Sequence, residues 1–292
     1  MYSNLTQTLL SASASEQKRA KKAFLVVKIF AFACVVIFAG LVYAAIIPLS
    51  AGSIAAGIMI VSVGSGLLYI PVNLSKSRLV RLAIEGVSRE IAGNPWRYWG
   101  AYDIMPFRPK GFGVFPFFRR IDTTYFLHGI YKSAEVWITS ALVRKKVGQK
   151  TFDSRYTFDG HVFVISNIQH TENIIITNAN PSDYFGIPRR FTLASPSGAV
   201  PNEQVYLSNA KAINSNDLNR FRAIFAKLYA QTPIQLLLKV EKGEMTLAIA
   251  DQKTFFEQSY NFAEEKPVED CINDVEVAIR YFIEIMDCAF LK

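Results

Sequence analysis

The sequence predicts an α+β protein in which a two-helix transmembrane hairpin precedes a cytoplasmic domain with a mostly antiparallel sheet. The sequence has two uncharged apolar runs, 29–47 and 51–72. Counted with the residues at its edges, each run has the roughly 20 residues needed to cross a bilayer. From Ile121 onward, short segments with a period of two predict about seven strands. One helix is expected between these strands, and another is expected to close the chain.

These patterns divide the chain into four parts. We expect a polar and basic tail at 1–22, the transmembrane helical hairpin at 23–72, a basic amphipathic helix with an aromatic-rich connector at 73–120, and a soluble α+β domain at 121–292.

Basic residues flank both outer ends of the hairpin, whereas its 48–53 tip has none. The flanking residues are Lys18, Arg19, Lys21, Lys22, Lys76, Arg78 and Arg81. Because positive residues stay on the cytoplasmic side, we expect two spans with both termini in the cytoplasm and the 48–53 tip outside. Two alternatives are a buried helical hairpin and a signal peptide. Three features argue against a signal peptide: the first apolar run is too long, its basic cluster begins late in the sequence, and a second apolar run follows at once.

The net charge of +8 is unevenly distributed along the chain. Residues 1–120 hold 14 basic and 4 acidic residues, a net charge of +10, which leaves a net charge of −2 for 121–292. The excess positive charge therefore surrounds the apolar runs. This pattern favours anionic lipid headgroups as a partner and argues against nucleic acid.

The 73–120 segment offers two membrane-contact hypotheses. Apolar residues of 77–92 recur at helical spacing, so this helix either packs on the soluble domain or lies on the membrane surface. The 95–120 stretch mixes aromatic and basic residues with Pro and Gly. It is either a packed domain edge or a headgroup-contacting loop, with Trp96, Trp99, Arg119 and Arg120 as the candidate contacts.

Seven strands are predicted in the soluble domain, at 133–146, 161–167, 173–178, 190–194, 203–207, 234–241 and 244–250. Lys242 and Gly243 predict a hairpin turn between the last two strands. The predicted helices are 216–230 and 268–290, since apolar residues recur there every three or four positions.

This layout resembles the Domain of Unknown Function 3137 family of bacterial membrane proteins. The matching pieces are 121–148, the lead of Phe158, Asp159, Gly160 and His161 into a strand, and 234–256. The resemblance implies a membrane location, two N-terminal spans and a soluble α+β domain. It implies no catalytic residues, and it suggests a LemA-type membrane protein as a partner.

No residue pattern predicts catalysis, a cofactor or a metal site. The three histidines, His128, His161 and His170, lack ligand spacing with a cysteine or with one another. Asp159 and His161 are interpreted as turn residues ahead of a strand. No phosphate-binding loop, nucleophile elbow or kinase motif is present in the sequence.

The sequence therefore favours a non-enzymatic scaffold or interaction protein, held by its anchor at the cytoplasmic face of a bacterial membrane. The alternative is a lipid- or ligand-sensing module that uses 95–120. The expected partners are membrane lipids and a second membrane protein. Association of the chain with further copies of itself is an additional hypothesis.

Overall fold

The computed structural model describes residues 3–43, 51–100, 111–115, 120–147, 151–179, 185–194, 198, 200–209, 215–256 and 268–290. The chain divides into two compact units. One is Met1–Ala83 with Ser259–Ile272, and the other is Ile84–Gln258 with Asn273–Lys292.

Two long helices form the N-terminal part of the chain. Helix α1 runs over Ser3–Tyr43 and helix α2 over Ala51–Ala92. Gly93 follows α2 with a φ of 75°, a left-handed conformation that glycine adopts without steric cost and that commonly ends a helix. The predicted helix 77–92 is therefore the last part of α2. Its residues Ile84, Val87 and Ser88 are fully buried, which favours packing over membrane contact.

Two membrane-crossing helices were expected, and the described residues contain one candidate. Within the described residues, the Lys21–Tyr43 part of α1 alone is long and apolar enough to cross a membrane, and its most apolar window is entirely unburied. The second predicted span, 51–72, is helical, but it is continuous with the rest of α2. The 48–53 tip lies partly outside the described residues.

The second unit is built on one antiparallel sheet of ten strands in the described chain. These are β1 Arg97–Gly100, β2 Arg120–Asp122, β3 Tyr125–Tyr131, β4 Ala134–Val147, β5 Thr151–Ser166, β6 Ile174–Thr177, β7 Thr192–Ala194, β8 Gln204–Leu207, β9 Leu236–Glu241 and β10 Glu244–Ile249. Their order in the sheet is β1-β3-β4-β5-β10-β9-β6-β8-β7, and β2 pairs with β4 outside this path. Helix α3 (Asn216–Gln231) and the part of α4 (Val268–Ala289) from Asn273 onward complete the unit.

One face of the sheet, the helical face, is covered by α3 and α4. Because residues paired across neighbouring strands share a face, the register places Ile138, Phe163 and Leu247 side by side there. Phe282 of α4 packs its ring 5.8 Å from that of Phe163. Helix α3 buries Leu218, Phe221, Ile224, Phe225 and Leu228 and contacts β6 and β9.

The opposite face, the loop face, has a core of its own. Val143, Phe158 and Val162 of β4 and β5 pack with Phe115 and Phe185, which come from connecting segments rather than helices. The rings of Phe115 and Phe158 lie 5.0 Å apart. The central strands are therefore buried on both faces, so any polar side chain that points inward from them needs an internal partner.

The α+β class, the antiparallel sheet and the closing helix are confirmed, but the expected number of strands is wrong. β1, β2 and β3 were not predicted, and β5 begins ten residues earlier than the predicted start at His161. The boundaries of α3 and α4 agree with the predicted boundaries to within one residue. The Lys242–Gly243 turn joins β9 to β10 as expected.

Trp96 joins the end of α2 to the sheet. Its backbone N–H donates to Ser88 Oγ at 2.8 Å, and its side chain is only 1% exposed. The indole lies against Gly129 of β3, where a Cβ atom would come within 2.2 Å of Trp96 Cδ1. Gly129 is therefore needed for the close approach of an aromatic ring to a strand.

We expect Gly129→Ala to displace Trp96 and to lower the free energy of unfolding by about 1–3 kcal/mol, as overpacking does elsewhere. Gly113→Ala is the matched control, because a Cβ atom there meets nothing within 4 Å; it should change stability by less than about 0.5 kcal/mol. Urea titration of both variants, followed by tryptophan fluorescence, measures the difference. Equal stabilities would contradict this role of Gly129.

Candidate functional site

The predicted membrane-flanking residues lie on the two N-terminal helices. Lys18, Arg19, Lys21 and Lys22 are exposed on α1, at and just before the apolar segment. On α2, Arg78 is exposed and Arg81 is half-buried, whereas the side chain of Lys76 lies outside the described residues. Contact of these residues with anionic headgroups stays a prediction.

The four candidate headgroup contacts have different environments. The structure removes Trp96 from this group, because its indole is enclosed against Gly129. Trp99 is half-buried in β1, and Arg119 lies outside the described residues. Arg120 is exposed and pairs with Asp122, with 2.9 Å between Nε and Oδ1.

The most tightly built polar cluster surrounds His161 on the helical face. Its Nδ1 lies 2.9 and 2.8 Å from the two carboxylate oxygens of Asp251. Asp251 is the second residue after the end of β10. The Tyr281 hydroxyl of α4 donates to Asp251 Oδ2 at 2.5 Å. The side chain of His161 is 0% exposed and that of Asp251 is 2% exposed. This carboxylate therefore joins β5, the end of β10 and α4.

Glycine lets the strands approach closely enough for this contact. A Cβ atom on Gly160 would lie 2.0 Å from the Ile249 carbonyl oxygen and 2.9 Å from the Asp251 backbone nitrogen. Ile249 is the register partner of His161, so the chain leaves β10 directly beside the imidazole. Gly160 is thus part of the strand, and it brings the Asp251 carboxylate to the histidine.

Aromatic rings enclose the rest of the imidazole. The rings of Phe255 and Phe282 each lie 5.4 Å from it, and that of Tyr125 lies 5.9 Å from it. Nε2 is buried and has no hydrogen-bond partner among the described residues. A carboxylate accepts hydrogen bonds, so Nδ1 is the donor in its contact with Asp251.

Burial governs the electrostatics of this cluster, which we call the histidine network (His161, Asp251 and Tyr281). Burial, followed by the neighbouring Asp251 charge and its hydrogen bond, raises the pKa of Tyr281 well above its usual range. Burial and the charge of Asp251 also raise the pKa of nearby Asp159, which His161 partly offsets. Both shifts favour the neutral form of the group.

In this arrangement the network holds α4 on the sheet. A histidine oriented by a carboxylate is also half of a general-base pair, but such a base must reach the proton it takes, and Nε2 is closed off by the aromatic rings. The described part of the chain holds no group of three or more His, Cys, Asp or Glu residues arranged for a metal ion.

Sequence reasoning located His161 but did not find its partners. Interpreting Asp159 and His161 as turn residues is wrong, since both lie within β5. The carboxylate that binds His161 belongs to Asp251, 90 residues later, and no local pattern connects the two. The one usable signal was a glycine beside a histidine inside an otherwise apolar strand, which marks a close backbone approach.

No known family model, curated protein or solved structure matches the chain.

Removing the shared carboxylate should destabilise the second unit strongly. In Asp251→Ala, the donors at His161 Nδ1 and Tyr281 both lose their buried acceptor, so we expect a loss of about 3 kcal/mol in urea titration. Asp287→Ala is the matched control, because Asp287 also accepts from a tyrosine, Tyr131, at 2.7 Å but is 44% exposed. Its loss should stay below about 1 kcal/mol. Similar losses in both variants would contradict the account.

Alkaline pH should destabilise the protein partly through Tyr281. Its pKa in the folded state lies above the value of about 10 in the unfolded chain. The unfolded state therefore loses this proton first, and the stability it contributes is complete below about pH 10 and falls as the pH rises further. Unfolding of wild type and Tyr281→Phe, measured at intervals from about pH 8 to pH 11.5, should give the shallower decline for the variant. Parallel curves would exclude this contribution.

Proposed function

We propose that this chain is a membrane-anchored scaffold or interaction protein without enzymatic activity, whose α+β domain lies at the cytoplasmic face of a bacterial inner membrane. The observation that carries the proposal is the Lys21–Tyr43 segment of α1, which is apolar, unburied and long enough to cross a bilayer. A soluble protein would leave this segment in water, at a large cost in free energy.

The charges at the start of this segment support the proposed orientation. Lys18, Arg19, Lys21 and Lys22 are exposed at the N-terminal end of the span, where they would remain on the cytoplasmic side. We further propose that 51–72 forms a second span and returns the chain to the cytoplasm, with the 48–53 tip outside. Arg78 and Arg81 follow that span and favour the same orientation.

The domain offers two kinds of contact surface to a partner. The outermost strands, β1 and β7, are only four and three residues long, and β7 carries Leu193 with 58% of its surface exposed. Short edge strands protect against indiscriminate pairing but still accept a strand of suitable length. The outer side of α4, with Val277 exposed, is the other surface.

Membership of the Domain of Unknown Function 3137 family and a LemA-type partner stay predictions. A partner in the same membrane suits an anchored domain, because tethering raises the local concentration of both proteins. The domain then needs little intrinsic affinity for that partner. The lipid-sensing alternative also stays a prediction, now without Trp96; Trp99, Arg119 and Arg120 are its remaining residues.

Charges placed inside the span should release the protein from the membrane and from its partners. Each Asp at the centre of a span opposes insertion by about 2.5–3.5 kcal/mol. Val35→Asp and Ile37→Asp in the first span, combined with Val61→Asp and Val63→Asp in the proposed second span, should therefore move the protein into the alkaline carbonate supernatant. Crosslinks formed in native membranes should be lost in parallel. Ile130→Asp is the control, since it adds a charge at a residue of β3 that is already 50% exposed and lies outside both proposed contact surfaces. Extraction of the wild-type protein by carbonate would overturn the anchor.

A reporter fused after Lys292 tests the orientation. With two spans and cytoplasmic termini, a fluorescent protein there should be bright and an alkaline phosphatase inactive. An active phosphatase would leave the anchor in place but reverse the proposed side of the domain.

A further inference from the structure

One face of α1 forms a groove at the beginning of the apolar segment, and we call it the lysine groove. Its volume is about 390 Å³, within the range of about 300–1,000 Å³ that small-molecule sites occupy. The residues described along it are Ala14, Lys18, Lys21, Lys22 and Leu25. All five belong to α1, and none of these five is acidic.

Helical spacing explains why these residues share a face. Ala14, Lys18, Lys22 and Leu25 follow one another at intervals of four, four and three positions, and residues so spaced are neighbours on the surface of an α-helix. Arg19 is exposed and belongs to the same basic cluster, but it is turned by about 100° from Lys18 and is not among the residues described along the groove. The positive charges of the groove therefore all come from lysine.

The groove changes from charged to apolar along the helix. Lys21 begins the apolar segment, and Leu25, which is 58% exposed, lies one turn inside it. The distance from Lys18 to Leu25 along the helix axis is about 10 Å, because each helical residue rises by about 1.5 Å. The headgroup layer of a bilayer is roughly 5–8 Å deep on each side. In an inserted α1 the groove would therefore extend from the headgroups to the first part of the acyl chains.

Three lysines within about one helical turn suit a phosphate group. An ammonium is a compact charge with three rotatable donors, so several lysines can surround a tetrahedral phosphate, whereas the arginine fork suits planar, bidentate contacts. The lysine stems can lie along apolar neighbours while the ammonium groups stay at the level of the headgroups. An anionic phospholipid joins a phosphate to acyl chains and, unlike a zwitterionic lipid, has a net negative charge. Its two parts match the two ends of the groove.

We propose that the lysine groove binds one anionic phospholipid of the cytoplasmic leaflet, with a phosphate among Lys18, Lys21 and Lys22 and an acyl chain along Leu25. This binding rests on the proposed function, because only an inserted α1 brings the groove to the headgroups. It differs from the general attraction of a basic segment to an anionic surface, since one face of the helix then holds one lipid and becomes saturated.

Lys18→Ala and Arg19→Ala form a matched pair, because each removes one exposed positive charge and only Lys18 lines the groove. The full-length protein in a neutral detergent is titrated with phosphatidylglycerol or phosphatidylcholine, and native mass spectrometry counts the lipids that each protein molecule retains. The wild type should retain one phosphatidylglycerol at saturation, with at least about tenfold preference over phosphatidylcholine. Lys18→Ala should weaken this binding about tenfold, and Arg19→Ala should weaken it less than about threefold.

The apolar end of the groove distinguishes a lipid from a free phosphate ion. Leu25→Ser should weaken retention of phosphatidylglycerol about three- to tenfold, and Val26→Ser, at a neighbouring exposed residue outside the described lining, should not. Inorganic phosphate in about hundredfold excess over the lipid should leave the lipid bound, since it lacks the acyl contact.

Three results would overturn the lipid site: equal retention of the two lipids by the wild type, equal losses in Lys18→Ala and Arg19→Ala, or displacement of the lipid by inorganic phosphate. None of these results affects the proposed anchor. Extraction of the wild-type protein by alkaline carbonate would instead overturn the anchor and the lipid site together.

Discussion

The arrangement of the second unit depends on one carboxylate. Asp251 accepts from the imidazole of β5 and from the phenol of α4, so it connects the central strand of the sheet to the helix that covers it. Because both donors are buried, each needs this acceptor, and the geometry of all three elements is coupled through two oxygen atoms. The next residue, Gln252, has a φ of 52°, in the left-handed region that glutamine rarely adopts.

The sequence allowed the fold class and the helices to be predicted because those features rest on local patterns. Helices α3 and α4 were located to within a residue from their apolar spacing, and the β9–β10 hairpin from its glycine turn. Strand β3 had no such signal. It joins β4 through Lys132 and Ser133, which both have positive φ without being glycine or asparagine, and its residues are buried almost continuously rather than alternately. The early part of β5 was missed because Asp159 and Gly160 are common turn residues.

The site could not be predicted for a related reason. His161, Asp251 and Tyr281 are far apart in the chain, and each is unremarkable in its own segment. Only the register of β5 with β10 and the docking of α4 bring them together, and both depend on non-local pairing. The apolar Lys21–Tyr43 segment is the opposite case, since hydrophobic length and flanking charge are local properties that the sequence displays directly.

The position of α4 after every strand has a consequence for synthesis. The loop-face core draws on residues up to Ala248, so it can close while the chain is still being made. The helical face instead needs the rings of Tyr281 and Phe282, which follow their β5 partners His161 and Phe163 by more than a hundred residues. Until α4 has been made, His161 and its apolar neighbours face water on an incomplete sheet. The proposed membrane anchor would hold that nascent sheet apart from other copies during this interval, when aggregation is most favourable.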